Sequence, residues 1–399
     1  MPLITIYNPV CGDRSAQRFV EQHVLPLLAE HGKTVNTLAP TQHAGHAGPL
    51  LVDFLESTTD TGSITVVLAS GDGTLHEIIN HLSLQTRTMP RFHFVLVPSG
   101  TANALYSSVF PPPADSESAS DDEKVEYKLQ SVRSFINSGH TIPLTLAIAT
   151  LSAPPSAKTR PQVAVSSVVV SAALHASILH DSEALREEFP GIERFKIAAQ
   201  KNSTKWYTSY VKLLPAPGAG RVQIYDPSVK AFVTHPDSDG DDPIVDLDGP
   251  FAYFLSTVNV DRLEPKFRIT PLSRALPPDE ASCEVVIVRP LRDPSVEWDT
   301  KEARESWVSK LWQIMGGAYQ DGVHIDLRYD EKGKIVTGGE GPLVVEYVRC
   351  GGWEWIPDDI DESAHLLCSD GAISQIEKGG RAVCLAATPK EDAGFVVYV

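Results

Sequence analysis

Two glycines flank a single carboxylate in the turn Ser70-Gly71-Asp72-Gly73-Thr74. It follows the apolar run Ile64-Thr65-Val66-Val67-Leu68-Ala69 and precedes Leu75-His76-Glu77-Ile78-Ile79-Asn80. The run predicts a buried strand, and Leu75, Ile78, Ile79 and Leu82 recur at helical spacing. Glycines at a strand-to-helix turn let backbone approach a ligand closely, and the free N–H groups of a helix start favour phosphate. A carboxylate there would repel a bare anion. Asp72 fits if it handles a proton or a metal ion beside the phosphates. Two further turns also follow strands: Asn8-Pro9-Val10-Cys11-Gly12 after Ile4–Tyr7, and Pro98-Ser99-Gly100-Thr101-Ala102-Asn103 after Phe94–Val97. One Asp-Gly turn is usually only a turn. Three such turns at the carboxyl ends of strands in one open α/β sheet would share the crevice where such sheets bind ligands.

The elements that must position these turns alternate in type. Leu3–Tyr7, Thr34–Leu38, Ile64–Ala69 and Phe92–Val97 read as strands. Ala16–Ala29, Leu50–Leu55, Thr74–Leu82 and Ala102–Val109 read as helices. That order predicts a mainly parallel sheet covered on both faces. Pro111-Pro112-Pro113 and the acidic, serine-rich stretch to about Glu123 predict a mobile surface loop, and a helix from Lys124 to Asn137 closes the domain. After Gly139 the pattern becomes β-rich. Runs at Ile142–Ala149, Gln162–Ser171, Arg221–Tyr225, Phe251–Thr257, Lys266–Thr270, Glu284–Val288, Gly322–Leu327, Leu343–Val348 and Ala382–Ala386 read as strands, with helices expected at Ser182–Tyr210 and Lys301–Met315. The division expected is an α/β domain over 1–138 and a β domain over 139–399.

At 399 residues the chain exceeds one ordinary core, which agrees with two domains. A net charge of -17 argues against general nucleic-acid binding and against adhesion of the whole body to an anionic membrane. The five cysteines are scattered, with no CxxC pair, so neither a disulfide framework nor a zinc cluster is expected. A reducing, cytoplasmic compartment is the simpler expectation. The amino-terminal residues lack a basic signal-peptide region, and no apolar stretch reaches the length of a membrane span.

Asn8-Pro9, the block Ser70–Asn80 and Pro98-Ser99-Gly100-Thr101-Ala102-Asn103-Ala104-Leu105 resemble the conserved blocks of the diacylglycerol kinase-type catalytic domain, with wording nearest the sphingosine and ceramide kinase branch. A weaker block, Val168–Ala176 followed by Asp181–Arg186 and Glu193-Arg194-Phe195, resembles the start of that branch's second domain. The resemblance implies an NAD kinase-like nucleotide-binding domain, a carboxyl-terminal β-sandwich lipid domain, and phosphorylation of a lipid hydroxyl by ATP and Mg2+. It also implies transient, peripheral association with membranes and is compatible with a homodimer.

Phosphoryl transfer needs positioned phosphates, neutralised charge and a group that takes the hydroxyl proton. Backbone around Gly71, Gly73, Gly100 and Thr101, with the hydroxyls of Ser70, Thr74 and Thr101, is expected to hold ATP phosphates. Asp72 is the candidate general base, or an acid that contacts magnesium through water. Asn8 and Asn103 are expected to position nucleotide or neighbouring loops, and Glu77 to hold a loop or reach the adenosine end. By resemblance, Arg186 and Arg194 occupy phosphate-binding positions, and Asp370 stands in the family's Asp-Gly-Glu motif. Two departures are visible. Leu179 aligns where sphingosine kinases carry a head-group acid, and Asp370-Gly371-Ala372 lacks the glutamate.

Other chemistries fit less well. No Gly-x-Ser-x-Gly nucleophile elbow occurs, His76-Glu77 lacks the second histidine of a zinc protease, and no G-x-G-x-x-G follows the first strand. Asp237-Ser238-Asp239-Gly240-Asp241-Asp242 lacks glycine at the sixth place and glutamate at the twelfth place of a calcium loop. The remaining alternatives are a kinase of a soluble nucleotide and a non-catalytic binding protein of the same fold.

Overall fold

A computed structural model describes the whole chain except residues 59–61, 87–88, 114–117, 155, 158, 190 and 391–392. It divides into two compact units. The first comprises Met1–Leu146, Leu263–Pro265 and Thr388–Val399. Its sheet contains β1 (Leu3–Tyr7), β2 (Thr37–Pro40), β3 (Ser63–Ser70), β4 (Arg91–Pro98) and β5 (Thr141–Pro143). The order is β2-β1-β3-β4, then the carboxyl-terminal strand Phe395–Tyr398, then β5. All pairings are parallel except the last. β1 is buried along its whole length, as expected for a parallel strand covered on both faces. Residues 16–30 form a helix whose middle turn, Val20–Val24, is π-helical. Its Val20, Val24 and Leu28 pack with Val67 and Val95 of the central strands and with Val132. The apolar stripe at helical spacing therefore becomes one wall of the core.

Two expectations need correction in this unit. The acidic stretch up to Glu123 is not all loop. Leaving aside 114–117, which lie outside the described residues, a helix starts at Asp121 and runs to Lys128. Ser120 caps it: its hydroxyl accepts the Glu123 N–H at 3.3 Å, and the Glu123 carboxylate accepts the Ser120 N–H at 2.7 Å. Acids at a helix start are favoured by the exposed N–H groups, so this run marks an end rather than disorder. The second correction concerns the carboxyl terminus, which belongs to the first unit rather than to a continuous 139–399 domain. Phe395-Val396-Val397-Tyr398 is wholly buried between β4 and β5.

The second unit, Ala147–Arg262 with Lys266–Ala387, contains an eight-stranded antiparallel sheet and a six-stranded sheet. Aromatic rings join them. Phe254 of the larger sheet lies 5.1 Å from both Trp353 and Trp355 of the smaller. Two apparent single strands turn out to be divided. Ile142–Ala149 separates into β5 of the first unit and Leu146–Ser152 of the six-stranded sheet. Gln162–Ser171 becomes Gln162–Ser166 in the smaller sheet and Val169–Ala172 in the larger. Two other expected strands are not formed: Gly322–Leu327 is mostly the 3-10 turn Val323–Asp326, and Lys266–Thr270 is irregular. The long helix expected over Ser182–Tyr210 is instead two, Ala173–Glu183 and Glu193–Asn202, followed by strand Ser209–Leu214. Asp181 joins the two helices, accepting from Asn202 Nδ2 at 3.0 Å and pairing with Lys201 at 2.9 Å. Burial opposes its charge, but the bonds from Asn202, His180 and Lys201 win and hold it below the usual carboxylate range.

One buried acid in the larger sheet gives a pH prediction. Glu284 is 3% exposed, takes a hydrogen bond from Arg349 at 2.5 Å and another from the Tyr347 hydroxyl. Burial outweighs Arg349 and pushes it up to about 7 from 4.5. The folded form therefore holds a proton that the unfolded chain has lost between those two values. Its stabilising share is complete below 4.5 and vanishes as pH rises through 7. Urea unfolding at about pH 5 and about pH 8 should show Glu284→Gln gaining roughly 3 kcal/mol relative to wild type at the higher pH. A pH-independent difference would contradict the assignment.

Candidate active site

β3 ends at Ser70 and the helix Asp72–Ser83 begins at once, with Gly71 as its extended N-cap. Leu75, Ile78, Ile79 and Leu82 bury one face and fix the direction in which the helix start points. β4 runs alongside in register, Ser70 opposite Pro98, and the Ser99 N–H donates to the Ser70 carbonyl at 3.0 Å. The next step brings two glycines together. A Cβ on Gly100 would lie 2.5 Å from the Gly71 Cα, and one on Gly71 would lie 2.9 Å from the Gly100 Cα. The two turns touch backbone to backbone, at a separation that side chains forbid.

The first turn joins the same body. Gly12 has φ +50, and a Cβ there would lie 2.2 Å from the Ser99 carbonyl oxygen. Asn8 Nδ2 donates to Thr74 Oγ1 at 3.1 Å. Asn103, itself left-handed at φ +54, accepts the Gly100 N–H and donates to the Gly100 carbonyl, both at 2.8 Å. Gly12 and Ser99 were not singled out as site residues, although a glycine after Asn-Pro carries a faint signal of the close approach.

Asp72 is where the structure says most. Its two carboxylate oxygens accept the N–H groups of Ala104 at 2.7 Å and Leu105 at 3.1 Å, the first residues of the helix Ala104–Val109. The acid set between the two glycines of the turn is itself the anion at a helix start. Several expected ligand groups are likewise engaged within the protein. The Gly100 N–H is taken by Asn103, the Ser70 hydroxyl donates to the Gly71 carbonyl at 3.2 Å, and the Thr74 hydroxyl receives Asn8. These residues shape the turns first. Gly73 and Thr101 stand exposed on the rim, and Glu77 lies half-buried one turn along the helix from Gly73. Cys11 is no nucleophile: its thiol donates to the Asn8 carbonyl, and burial pushes it up to about 11.

Gly73 supplies a direct test of where a ligand approaches. A Cβ placed there meets nothing within 4 Å. Gly73→Ala should therefore stabilise the helix by about 0.5–1 kcal/mol, since alanine replaces glycine in a helical turn. If phosphates come down on this open backbone, the same change should raise the KM for ATP by about tenfold. A melting curve and a nucleotide titration on one variant check both signs.

The other three expected site residues lie in the second unit. Arg186 is exposed and pairs with Glu183 at 2.6 Å. Arg194 is 5% exposed, with its guanidinium 4.6 Å from the Phe195 ring centroid and its Nε without a partner. Burial and then the nearby Arg186 charge lower its proton affinity. Asp370 is used differently from the expectation of a nucleotide contact. At φ +47 it turns its carboxylate onto the N–H groups of Ser167, Val168 and Val169, at 2.8, 3.0 and 2.7 Å. It anchors the turn between two strands of its own unit. Among the described residues no group of three or more histidine, cysteine or acidic side chains is placed to hold a metal ion.

With that geometry in place, residues 2–130 match the family model of the diacylglycerol kinase catalytic domain. The resemblance read from the three turns holds over residues 2–130. Human (Homo sapiens) sphingosine kinase 2 is 34% identical over 109 residues, 27% of this chain. The chain spans only 16% of that relative's length. Among solved structures, “a putative diacylglycerol kinase from Bacillus anthracis str. Sterne” covers 100% of this chain and 97% of its own at a TM-score of 0.50 and 14% identity, which shows likeness of fold. Yeast NADH kinase complexed with NADH covers 100% and 83% at 9% identity, but its TM-score of 0.37 is too low to carry weight.

Proposed function

We propose that this protein is an ATP-dependent lipid kinase that transfers the γ-phosphate to a hydroxyl of a sphingoid base, ceramide or diacylglycerol. The observation that carries the reading is the backbone contact of Gly71 with Gly100. It joins two strand-end turns into one rim beside the open Gly73. ATP with Mg2+ supplies the transferable phosphoryl group and the cation that neutralises its charge. Gly73 and the start of the helix Asp72–Ser83 leave room for phosphate. With Asp72 the only acid in the Gly71–Thr74 turn, magnesium would rest mainly on phosphate oxygens and water. Thr101 on the rim and Glu77 along the helix remain the side chains suited to the rest of the nucleotide.

Asp72 then has two jobs. Two accepted N–H bonds leave its carboxylate further lone pairs, and one of them can take the proton of the acceptor hydroxyl. The same two bonds hold the Gly100–Asn103 turn against the helix start. The relative in the comparison, named a sphingosine kinase, supports a lipid hydroxyl as acceptor. Leu179 in place of an acid favours a head group with no amine to neutralise, such as ceramide or diacylglycerol. Contact with membranes during turnover follows from such a substrate.

The test is a radiolabelled ATP screen over long-chain bases, ceramides, diacylglycerols and NAD, with ADP release measured alongside. Label in a lipid product supports the reading. Label in NADP alone would replace it with a soluble-nucleotide kinase, and bound ATP without turnover would replace it with a binding protein.

A further inference from the structure

The second unit contains a cavity of about 540 Å³ that the kinase reading leaves unused. Its wall is formed by the loop 216–221 and the facing segment 276–282, over Phe232 and Arg349. An oxyanion already sits in it. The Glu280 carboxylate accepts the N–H groups of Gly218 and Ala219, both at 2.7 Å, and a Cβ on Gly218 would lie 2.9 Å from one of those oxygens. Short paired N–H contacts of this kind are how backbone turns hold carboxylate and phosphate.

Two polar atoms in the cavity lining lack a hydrogen-bond partner among the described residues. Ser282, 6% exposed, has a hydroxyl with no partner, and the Nε of Arg349 has none. Arg349 is held in place with its guanidinium 4.0 Å above the Phe232 ring and one nitrogen shared between Leu276 and Glu284. Arg221, in the same loop as the two N–H groups, is exposed and makes no ion pair among the described residues, although it feels Asp239. The opposing acids are Glu280, hydrogen-bonded by the paired N–H groups, Glu284, bonded to Arg349 and raised toward its protonated form by burial, and Asp279 on the rim. Phe232, Leu276 and Pro278 give the remaining wall an apolar surface.

We infer that this cavity is a binding site for a small organic oxyanion, a carboxylate or monophosphate carried on an apolar body, and that Glu280 is its internal occupant. The ligand anion displaces Glu280 from Gly218 and Ala219 and gains Arg221, while its body lies against Phe232 and Leu276. Removing the occupant therefore strengthens binding, although it removes a side chain that lines the site.

Calorimetric titration of the full chain with inorganic phosphate, acetate and hexyl phosphate, referred to chloride at equal ionic strength, tests this. Glu280→Ala should bind phosphate about tenfold tighter than wild type, and Arg221→Ala about tenfold weaker. Glu280→Gln, which keeps an acceptor but loses the charge, should fall between. Hexyl phosphate should exceed inorganic phosphate in every variant, and the comparison with acetate decides between phosphate and carboxylate. Neither Glu280 nor Arg221 is buried, and melting curves verify that the variants fold. Phosphate binding that is unchanged or weakened by Glu280→Ala, or insensitive to Arg221→Ala, overturns the site. Equal binding of hexyl and inorganic phosphate overturns the apolar body.

Discussion

Gly100→Ala should cost about 3 kcal/mol of stability and leave little of the proposed kinase activity. The new Cβ would fall 2.5 Å from the Gly71 Cα and 3.1 Å from Asn103 Oδ1. The first of these neighbours is backbone at the N-cap of the helix Asp72–Ser83, so no flexible side chain can swing aside. Relief requires β3 and β4 to part at their carboxyl ends, where Ser70 and Ser99 are hydrogen-bonded. Parting them also moves Asn103 off the Gly100 peptide and Asp72 off the helix that follows. Denaturant unfolding and a turnover assay on Gly100→Ala, beside Gly73→Ala, separate the two uses of glycine. The first should unfold more easily, whereas the second should fold better and bind nucleotide worse. Equal stability for Gly100→Ala and wild type would mean that the turns do not meet as described.

Asp72→Asn is expected to lower kcat by about 100- to 10,000-fold, the range attached to a missing general base. A structural loss accompanies it. An asparagine keeps one acceptor for Ala104 or Leu105 but turns an NH2 toward the other N–H, leaving a partly buried donor without its bond, at about 1–3 kcal/mol. The two effects differ in kinetic signature. A lost base lowers kcat with the KM for ATP little changed. A loosened turn raises the KM for ATP together with the fall in kcat. Full activity in Asp72→Asn would remove the carboxylate from the chemistry and leave it only the helix start to hold.

The parts of the fold legible from sequence share one property. β1 and the helix Asp72–Ser83 are written in contiguous residues: an unbroken apolar run, and apolar positions at helical spacing above a glycine turn. The misreadings have equally specific reasons. Asp121-Asp122-Glu123 has the composition of a solvated loop, and only its spacing from Ser120 reveals a capped helix start. Ile142–Ala149 is continuous in hydrophobicity, yet its two halves pair with strands in different units. Trp206 and Tyr207, read as the end of a helix, are buried and lead into a strand.

The candidate site divides in the same way. The sequence by itself determined which turns carry glycine and carboxylate, because each turn is a local consequence of a strand ending and a helix starting. It did not determine what those groups touch. That Gly100 lies on Gly71, that Asp72 caps a helix 32 residues away, that Asp370 faces its own strands, and that Phe395–Tyr398 completes the first sheet are facts of non-local packing. Glycine and aspartate can serve many partners. The parallel register of β3 and β4 selects among them by bringing their two ends within backbone contact, and only the folded chain has that register.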